Sequence, residues 1–487
     1  MRITLRACAL GAGLAAIVFL AHLPYIRLPY FWDELGQFVP AALDIFRQGA
    51  WIPRSTVPNA HPPAVMAYLA LVWSVAGYSI ASTRLAMLAV ASAGAVFTYL
   101  LARVLSPGRT PAVLAVLFLL VDPLFYTQSM MAQLDMPAMV FTMLGLWLFL
   151  TDRHRAAAVA CTALVLAKET GALLPLIFIV VLYRDPSRRK FAPYYLVPFA
   201  ALAIWFLTLW RTTGHLFGDA GFTRYNTVYA LNPVRASVTL LRRLYYLFLD
   251  DFRWIGAIAI VAAWKQGQRC ETRAWRIVLW FSAAHILLVS VLGGAALERY
   301  LLPVLPLLYV AIASALRVLR PGWRRVAAAG LAVGLLLGIF VNPPFPFPYE
   351  NNLAMTDFIA LHRTAAQFVE SRFPRETIYT AWPLTQALRN PVFGYVGHPM
   401  LAAETSDLRV STLRAVNPQN VRVLVLYSRT WEPSWGVLRW GWVRRFLARH
   451  YEYEREMTPA EVADHFGLKE VQRWTQRGQW IEVFARP

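Results

Sequence analysis

The sequence predicts an α-helical polytopic membrane protein of about eleven transmembrane helices, followed by a small soluble α/β domain at the C-terminus. Of its 487 residues, 58% are hydrophobic and 15% are charged. Apolar runs that suit a bilayer recur from residue 7 to residue 341, and beyond that point helix-like and strand-like patterns alternate. We therefore expect a transmembrane domain over 1–342 and a separate domain over 343–487.

The positive charge of the chain, +20 at pH 7, is explained by membrane topology. The Arg residues lie mainly in short segments between apolar runs and form no basic stripe on a polar domain, so we expect no nucleic-acid partner. Cytoplasmic loops of membrane proteins collect Lys and Arg, and one path through this sequence satisfies that rule. It predicts a multi-pass protein of the plasma (inner) membrane, with its N-terminus in the cytoplasm and its C-terminal domain outside.

The predicted spans follow from the same path. Residues 1–22 form a retained helix, because no small-residue cleavage site leads from them into a soluble domain. Residues 63–78 are apolar, but a crossing there would invert every later loop. We therefore assign them to a helix at the outer interface, within one long outer loop over 24–83. The remaining spans are 84–104, 111–127, 136–150, 156–168, 171–183, 191–211, 252–264, 276–292, 300–316 and 325–341.

The C-terminal domain begins after a proline-rich linker, NPPFPFPYE, which ends the last span. Its expected elements are a helix over 356–372, buried strands over 376–381 and 421–428, and an Arg- and Trp-rich amphipathic helix over 436–450. The segment TPAE that starts at Thr458 is typical of a capping box, and a closing hairpin is expected near the end.

Ionisable side chains at the outer ends of the spans are the candidates for a site, because charges near a membrane interior are costly. They lie in five short segments, FWDE, AHPP, QLDMP, AKETG and ERYLL. A carboxylate there can take a proton from an acceptor, and a cation can neutralise a departing phosphate. The candidates are Asp33, Glu34, His61, Asp135, Lys168, Glu169, Arg299 and Tyr300.

Each of these residues also has an ordinary structural explanation. The two aspartates fit helix N-caps. Lys168 fits an interfacial lysine paired with Glu169, and Arg299 beside Tyr300 fits an interfacial anchor. His61 alone is a weak signal. All of them fall on one predicted face of the membrane, however, and this shared position favours a common site.

In order along the chain, these segments resemble the GT-C glycosyltransferase superfamily, specifically the bacterial branch of protein O-mannosyltransferases and lipid A aminoarabinose transferases. FWDELGQFVPAALDIFRQGAWIP looks like the family's first outer loop, and NAHPPAVMAYLALVW is similar to its K/H-P-P helix. An Arg-Leu pair at Arg84 then opens the next span. QSMMAQLDMPAMVF, LAKETGALLP and ERYLLPVLPLLY resemble the later landmarks, so the resemblance covers most of residues 24–310.

The resemblance implies a role for each landmark residue. Asp33, with Glu34 beside it, would be the catalytic carboxylate, and Asp135 a second acid near the transferred sugar. No cofactor is firmly implied, but some members of the superfamily bind a divalent cation, which leaves Mg or Mn on Asp33 and Asp135 open. The substrate-binding groups would be His61, Arg84, Lys168, Glu169, Arg299 and Tyr300.

The resemblance further implies an inverting hexosyl- or pentosyltransferase that uses a polyprenyl-phosphate sugar at the outer face of the membrane. The transmembrane domain would then be catalytic, with membrane lipid around it and a protein, lipid or glycan as acceptor. His61 stands where the lipid A branch tends to have Lys, and Ala60 where it has an acidic residue, so the acceptor stays open. The alternatives are a transporter or flippase of lipid-linked substrates without transfer chemistry, and a non-catalytic scaffold.

Overall fold

A computed structural model of the chain describes residues 2–267, 272–343, 350–429 and 436–487. The chain divides into two compact units. The first comprises Met1–Ile26 and Ala41–Phe340, and the second comprises Arg27–Pro40 together with Val341–Pro487. Most of the predicted proline-rich linker lies outside the described residues. The assignment of one unit to the membrane and the other to the outer side stays a prediction.

The first unit is built of helices throughout its described residues, and local signals fix several of their starts. Ser79 and Ser82 form a reciprocal capping box, and Thr272 accepts a hydrogen bond from the backbone N–H of Trp275. The α-helices are α1 (Arg2–His22), α2 (Val39–Gln48, which crosses the division between the units), α3 (Ala64–Ala76), α4 (Ile80–Leu105), α5 (Thr110–Leu120), α6 (Pro123–Gln128), α7 (Asp135–Leu150), α8 (His154–Ala167), α9 (Leu173–Tyr183), α10 (Val197–Thr213), α11 (Ala220–Asn226), α12 (Pro233–Phe248), α13 (Arg253–Lys265), α14 (Arg273–Val291), α15 (Leu305–Ala315) and α16 (Pro321–Phe340).

Many of these helices are apolar, as an integral membrane protein requires. Within the described residues, four helical segments are long and apolar enough to cross a bilayer: Ile80–Leu105, Arg189–Thr213, Arg273–Val291 and Pro321–Phe340. Shorter apolar helices of 10–17 residues cover Ala9–Tyr25, Ala64–Ala76, Thr110–Leu120, Asp135–Leu150, His154–Ala167, Glu169–Tyr183 and Leu305–Val318. The total of about eleven spans and the orientation of the termini stay predictions.

The sequence predicts one continuous helix over 111–127, and this prediction is wrong. The structure has two helices there, α5 and α6. α5 ends at Leu120, and Asp122 accepts a hydrogen bond from the backbone N–H of Phe125 at 2.9 Å as the N-cap of α6. Pro123 takes the first helical position of α6, where its missing N–H costs nothing. An acidic cap followed by proline therefore starts a new helix within an apolar run.

The second unit contains a five-stranded mixed sheet in the order β2-β1-β3-β5-β4. β1 pairs in parallel with β2 and β3, whereas β5 pairs antiparallel with β3 and β4. The strands are β1 (Ile378–Ala381), β2 (Ala402–Thr405), β3 (Val423–Tyr427), β4 (Lys469–Gln476) and β5 (Gln479–Ala485). The helices are α17 (Ala354–Arg372), α18 (Leu384–Arg389), α19 (Val410–Arg414), α20 (Gly441–Tyr451) and α21 (Pro459–Phe466).

The small sheet-containing C-terminal region agrees with the sequence-based prediction. The expected helix over 356–372, both expected strands and the closing hairpin all form within a few residues of their predicted bounds. Thr458 and Glu461 form the predicted capping box at the start of α21. β2 is the strand that the sequence analysis did not predict, because its four residues carry no long apolar pattern.

The segment Arg27–Pro40 belongs to the second unit through aromatic contacts and one close approach. The ring of Trp32 meets the ring of Trp382 edge-on, with centroids 5.1 Å apart. The Tyr395 hydroxyl donates to the carbonyl of Tyr30 at 2.7 Å. A Cβ at Gly36 would lie 2.3 Å from Nε1 of Trp382, so no larger residue fits there without a shift. The FWDE motif is therefore held by residues that lie more than 300 positions further along the chain. The hydrogen bond between Tyr395 and Tyr30, for example, spans 365 positions.

Candidate active site

Asp135 is the first residue of α7, and its carboxylate lies between two cations. Its Oδ1 lies 2.5 Å from the Lys168 ammonium, and its Oδ2 lies 3.1 Å from Nε of Arg299. The three side chains are only 5%, 10% and 4% exposed, respectively. Leu134 occupies the N-cap position of α7, so an N-cap alone does not explain Asp135. The structure makes it the centre of a buried charge cluster.

The two cations of this cluster come from different parts of the chain. Lys168 follows α8 directly in an extended conformation, with φ −154° and ψ 127°, which ends the helix and redirects the chain. Arg299 lies in the 3₁₀ turn Glu298–Leu301, just before α15. Within the Asp135–Lys168–Arg299 cluster, one carboxylate faces two cations. Such a cluster suits a bound anion, and a phosphate oxygen accepts well from both kinds of cation.

Tyr300 completes this cluster from the same 3₁₀ turn. The Lys168 ammonium lies 4.1 Å from the centroid of its ring, within the range of a cation–π contact. The backbone carbonyl of Tyr300 accepts a hydrogen bond from Nε2 of His285 at 2.8 Å. A Cβ at Gly293 would lie 2.8 Å from the same ring, so a glycine is needed for the ring to take this position. The residues predicted as an interfacial anchor thus face a buried lysine.

His61 and Glu169 form a second pair within the first unit. Nδ1 of His61 lies 2.8 Å from Oε2 of Glu169, and the two side chains are 18% and 22% exposed. The Trp205 indole N–H donates to the carbonyl of Ala60 at 3.0 Å and fixes the residue before the histidine. Glu169 therefore pairs with His61 while Lys168 pairs with Asp135, which differs from the mutual Lys168–Glu169 pair considered from the sequence.

We expect His61→Gln to lower the kcat/KM of sugar transfer about tenfold, because Gln keeps a hydrogen-bond donor but does not place it where the imidazole of His61 would meet a phosphate. Folding should change little, since a partly exposed pair contributes roughly 0–1 kcal/mol. Initial transfer rates with purified protein check this. His215→Gln, at an exposed histidine of the same unit, is the matched control. Equal rates for both variants would remove His61 from the substrate-binding set.

Arg84 lies near the start of α4 and is 1% exposed. Its NH1 donates to the carbonyl of Met130 at 2.9 Å, within the turn that leads to Asp135. This contact fixes the path of the chain into α7. The structure therefore gives Arg84 a positioning contact, and its predicted role in substrate binding stays a prediction.

Asp33 and Glu34 belong to the second unit, and they differ in exposure. Glu34 is 0% exposed, and its Oε2 accepts from the backbone N–H of Phe31 at 2.9 Å. Asp33 is partly exposed and precedes a short π-helical turn, Glu34–Phe38, without a capping hydrogen bond from its side chain. The N-cap explanation of Asp33 is therefore not met. Of the acidic pair, Asp33 is the more exposed residue.

Sequence reasoning missed a completely buried ion pair between Asp122 and Arg253. NH2 of Arg253 lies 2.6 Å from Oδ2 of Asp122, and both side chains are 0% exposed. The hydroxyl of Tyr309 also donates to Asp122, and Nε of Arg253 lies 3.1 Å from that hydroxyl. The feature of the sequence that could have indicated this pair is an aspartate inside an apolar run. Burying such a charge is costly unless it has a partner. Every charged group of this network is engaged, so it fits structural support.

We expect Asp122→Asn to destabilise the protein by up to about 3–5 kcal/mol, because it removes the fully buried countercharge of Arg253 and leaves only the partly exposed Asp251, 3.2 Å away, to balance the guanidinium. The thermal midpoint of the purified protein in detergent, followed by loss of the monodisperse peak, measures this. The matched control is Asp152→Asn, whose side chain is 55% exposed and pairs with Arg188 at the surface. A midpoint equal to that of the control would mean that the Asp122–Arg253 pair adds nothing to stability.

Arg243 is a second residue that sequence reasoning missed, and it supports the turn that carries Arg299. It is 1% exposed, and it donates to the carbonyls of Leu297 at 3.1 Å and Val289 at 2.7 Å. Arg242, its neighbour, pairs with Glu298 in the same turn. The feature of the sequence that could have indicated this role is the pair of adjacent arginines in the apolar stretch LLRRLYYLF. They hold the 3₁₀ turn from the side of α12.

Of the two residues left open as metal ligands, Asp135 does not fit that role in its present contacts, and metal binding stays untested. Both oxygens of Asp135 already face cations, Lys168 and Arg299, which a divalent ion would have to displace. Within the described ranges, no group of three or more His, Cys, Asp or Glu side chains could hold a metal ion.

Comparison with known proteins gives one family match and several structural matches. Residues 60–210 match the family model described as dolichyl-phosphate-mannose-protein mannosyltransferase. No curated protein matches the chain at a significant level. The matched range contains AHPP, QLDMP and AKETG, three of the five segments on which the resemblance was based.

Two solved structures share the fold over most of their length. ArnT from Cupriavidus metallidurans superposes with a TM-score of 0.58 at 15% identity, covering 98% of this chain and 97% of ArnT. The archaeal oligosaccharyltransferase AglB from Archaeoglobus fulgidus gives a TM-score of 0.54 at 10% identity, covering 86% of this chain and 69% of AglB. At these identities the likeness shows the fold alone, and it is the family model matched over 60–210 together with this fold that supports the resemblance predicted from the motifs.

Proposed function

We propose that this chain, which has the fold of the GT-C glycosyltransferases, moves a sugar from a polyprenyl-phosphate donor to an acceptor at the outer face of the membrane. Glycosyl transfer as the general activity is supported by the matched family model and by the fold. The inverting course and the role of Asp33 are the finer parts of the proposal. They rest on chemistry and on the FWDE resemblance.

The donor class is suggested by what the structural relatives bind. The ArnT structure contains undecaprenyl phosphate, and the AglB structure contains a dolichol-phosphate. Both are long prenyl chains that end in a phosphate. A sugar bonded to such a phosphate brings an anionic leaving group to the surface of the membrane.

The Asp135–Lys168–Arg299 cluster is the observation that carries the proposal. During transfer, the bond between the anomeric carbon and the phosphate oxygen breaks, and its electron pair stays on the phosphate. Two buried cations around a single carboxylate can stabilise that developing charge, because their neighbours already hold them in place. Asp135 orients the two cations and prevents their mutual repulsion, which makes it a positioning residue for the leaving group.

Asp33 is proposed as the carboxylate that takes the proton of the acceptor while its nucleophilic atom bonds to the anomeric carbon. Asp33 is partly exposed and its side chain does not cap the turn that follows it. A carboxylate within hydrogen-bond reach of an acceptor can take the acceptor's proton. Attack from the side opposite the phosphate inverts the configuration at that carbon. The products are a glycosylated acceptor and free polyprenyl phosphate, and the proton ends on Asp33.

A transfer assay with membranes tests the general proposal. Membranes with and without the protein receive a panel of radiolabelled polyprenyl-phosphate sugars, followed by extraction into lipid, protein and glycan fractions. We expect one donor to give label transfer that depends on the protein, and the labelled fraction then names the acceptor class. Absence of protein-dependent transfer from every donor would contradict the proposal.

Metal dependence gives a separate prediction. Because cations of the protein already occupy both oxygens of Asp135, we expect transfer to continue at its normal rate in the presence of EDTA. Initial rates before and after chelation measure this directly. Loss of turnover that Mg²⁺ or Mn²⁺ restores would instead show that a divalent ion is part of the site.

A further inference from the structure

The helix α20 presents an exposed surface whose use the proposed function does not explain. We name this surface the Arg–Trp face and define it by Trp440, Trp442, Arg444, Arg445 and Arg449. All five side chains are exposed, and the two indole residues are 54% and 62% exposed. The rings of the two tryptophans lie 5.9 Å apart. Large aromatic side chains in water are unfavourable unless something covers them.

The opposite side of α20 fixes which way this face points. Val443 and Leu447 are partly buried, and at 100° per residue they lie on the side of the helix opposite Arg445, with the partly buried Phe446 next to them. Leu438, in the 3₁₀ turn before the helix, is 2% exposed and anchors that turn in the second unit. The helix is therefore attached along one side, and the Arg–Trp face points outward.

The charges on this face have no carboxylate partner among the described residues. Among the residues that the structure describes, Arg444, Arg445 and Arg449 form no ion pair. By contrast, Arg455 pairs with Glu461 in the same unit, so the unit does neutralise arginines elsewhere. Three adjacent positive charges beside two indoles call for a partner that is both anionic and able to take up aromatic rings.

We propose that the Arg–Trp face lies on the surface of a bilayer that contains anionic phospholipids. Trp is enriched at membrane interfaces because its ring is apolar and its N–H is polar, and Arg reaches phosphate headgroups from the same depth. The second unit continues directly from α16, a helix long and apolar enough to cross a bilayer. The chain itself therefore ties the second unit to a predicted membrane span, whereas a separate protein partner would have to be recruited.

The test uses the full chain in lipid nanodiscs. Cys8, Cys161 and Cys270 are replaced by alanine, and a single cysteine is introduced as Ala448→Cys, at an exposed position of α20 beside the Arg–Trp face. An environment-sensitive fluorophore on this cysteine is read in discs of phosphatidylcholine with and without phosphatidylglycerol, and with spin-labelled lipid as a quencher. The control label is Glu470→Cys, exposed on β4.

With phosphatidylglycerol present, we expect a blue-shifted emission and strong lipid quenching at position 448, and neither effect at position 470. Arg444→Gln, Arg445→Gln and Arg449→Gln together should remove the shift while the purified protein stays monodisperse. A label at 448 that stays as water-exposed as the control in both kinds of disc would overturn the proposal. If position 448 is quenched equally in discs without phosphatidylglycerol, or equally in the triple variant, the claim that the arginines bind anionic lipid would be overturned. Neither readout depends on sugar transfer, so the result is independent of the proposed function.

Discussion

Lys168→Met is expected to lower the rate of sugar transfer at least about 100-fold, because it removes one of the two buried cations that we propose stabilise the departing phosphate. Methionine fills most of the space of the lysine stem. Asp135 keeps its contact with Arg299 at 3.1 Å, so no buried carboxylate is left without a countercharge. The loss should therefore appear in kcat with little change in the yield of folded protein.

Initial rates of transfer with purified protein measure this, and thermal stability is recorded alongside. Lys190→Met is the matched control, since Lys190 is exposed and lies outside the charge cluster. Lys168→Arg should retain an intermediate rate, because it keeps the charge but not the compact ammonium. A methionine variant with near wild-type kcat would show that the cluster is structural and that the phosphate is bound elsewhere.

Asp33→Asn is expected to lower transfer by about 10²–10⁴-fold, the range that a lost general base costs, with expression unchanged. Asparagine has the shape of aspartate but accepts no proton at neutral pH. The side chain is partly exposed, so removing its charge should not disturb the packing of the FWDE segment. Rate and protein yield are measured in the same preparations.

The neighbouring acid supplies the comparison for Asp33. Glu34→Gln changes a fully buried carboxylate that accepts the backbone N–H of Phe31, so it should reduce thermal stability more than Asp33→Asn does. If Asp33→Asn transfers sugar normally while Glu34→Gln is folded and inactive, the catalytic carboxylate has been assigned to the wrong member of the pair.

Much of the candidate site was predictable because each of its residues stands in a short motif at the end of an apolar run. Asp135 in QLDMP, Lys168 in AKETG and Arg299 in ERYLL are costly at such positions without partners, and the structure supplies those partners from one another. What the sequence did not give is the pairing itself. Proximity between side chains 33 positions apart depends on how α7 and α8 pack.

The missed features share one physical cause, which is that they depend on contacts distant in sequence. The Asp122–Arg253 pair joins residues 131 positions apart, and each residue looks like an isolated charge in its own segment. The inclusion of Arg27–Pro40 in the second unit depends on Trp382, far along the chain. Helix periodicity and capping signals, by contrast, are local, and they predicted α17, α21 and the closing hairpin.

The most direct test of the account follows both products of a single transfer. Purified protein in proteoliposomes is given a polyprenyl-phosphate sugar of known anomeric configuration and the acceptor fraction found in the membrane assay. We predict one free polyprenyl phosphate for each sugar transferred, with the opposite anomeric configuration in the product. A labelled donor that crosses the bilayer intact without release of polyprenyl phosphate would contradict the account and support a flippase, and a retained configuration would contradict the direct displacement.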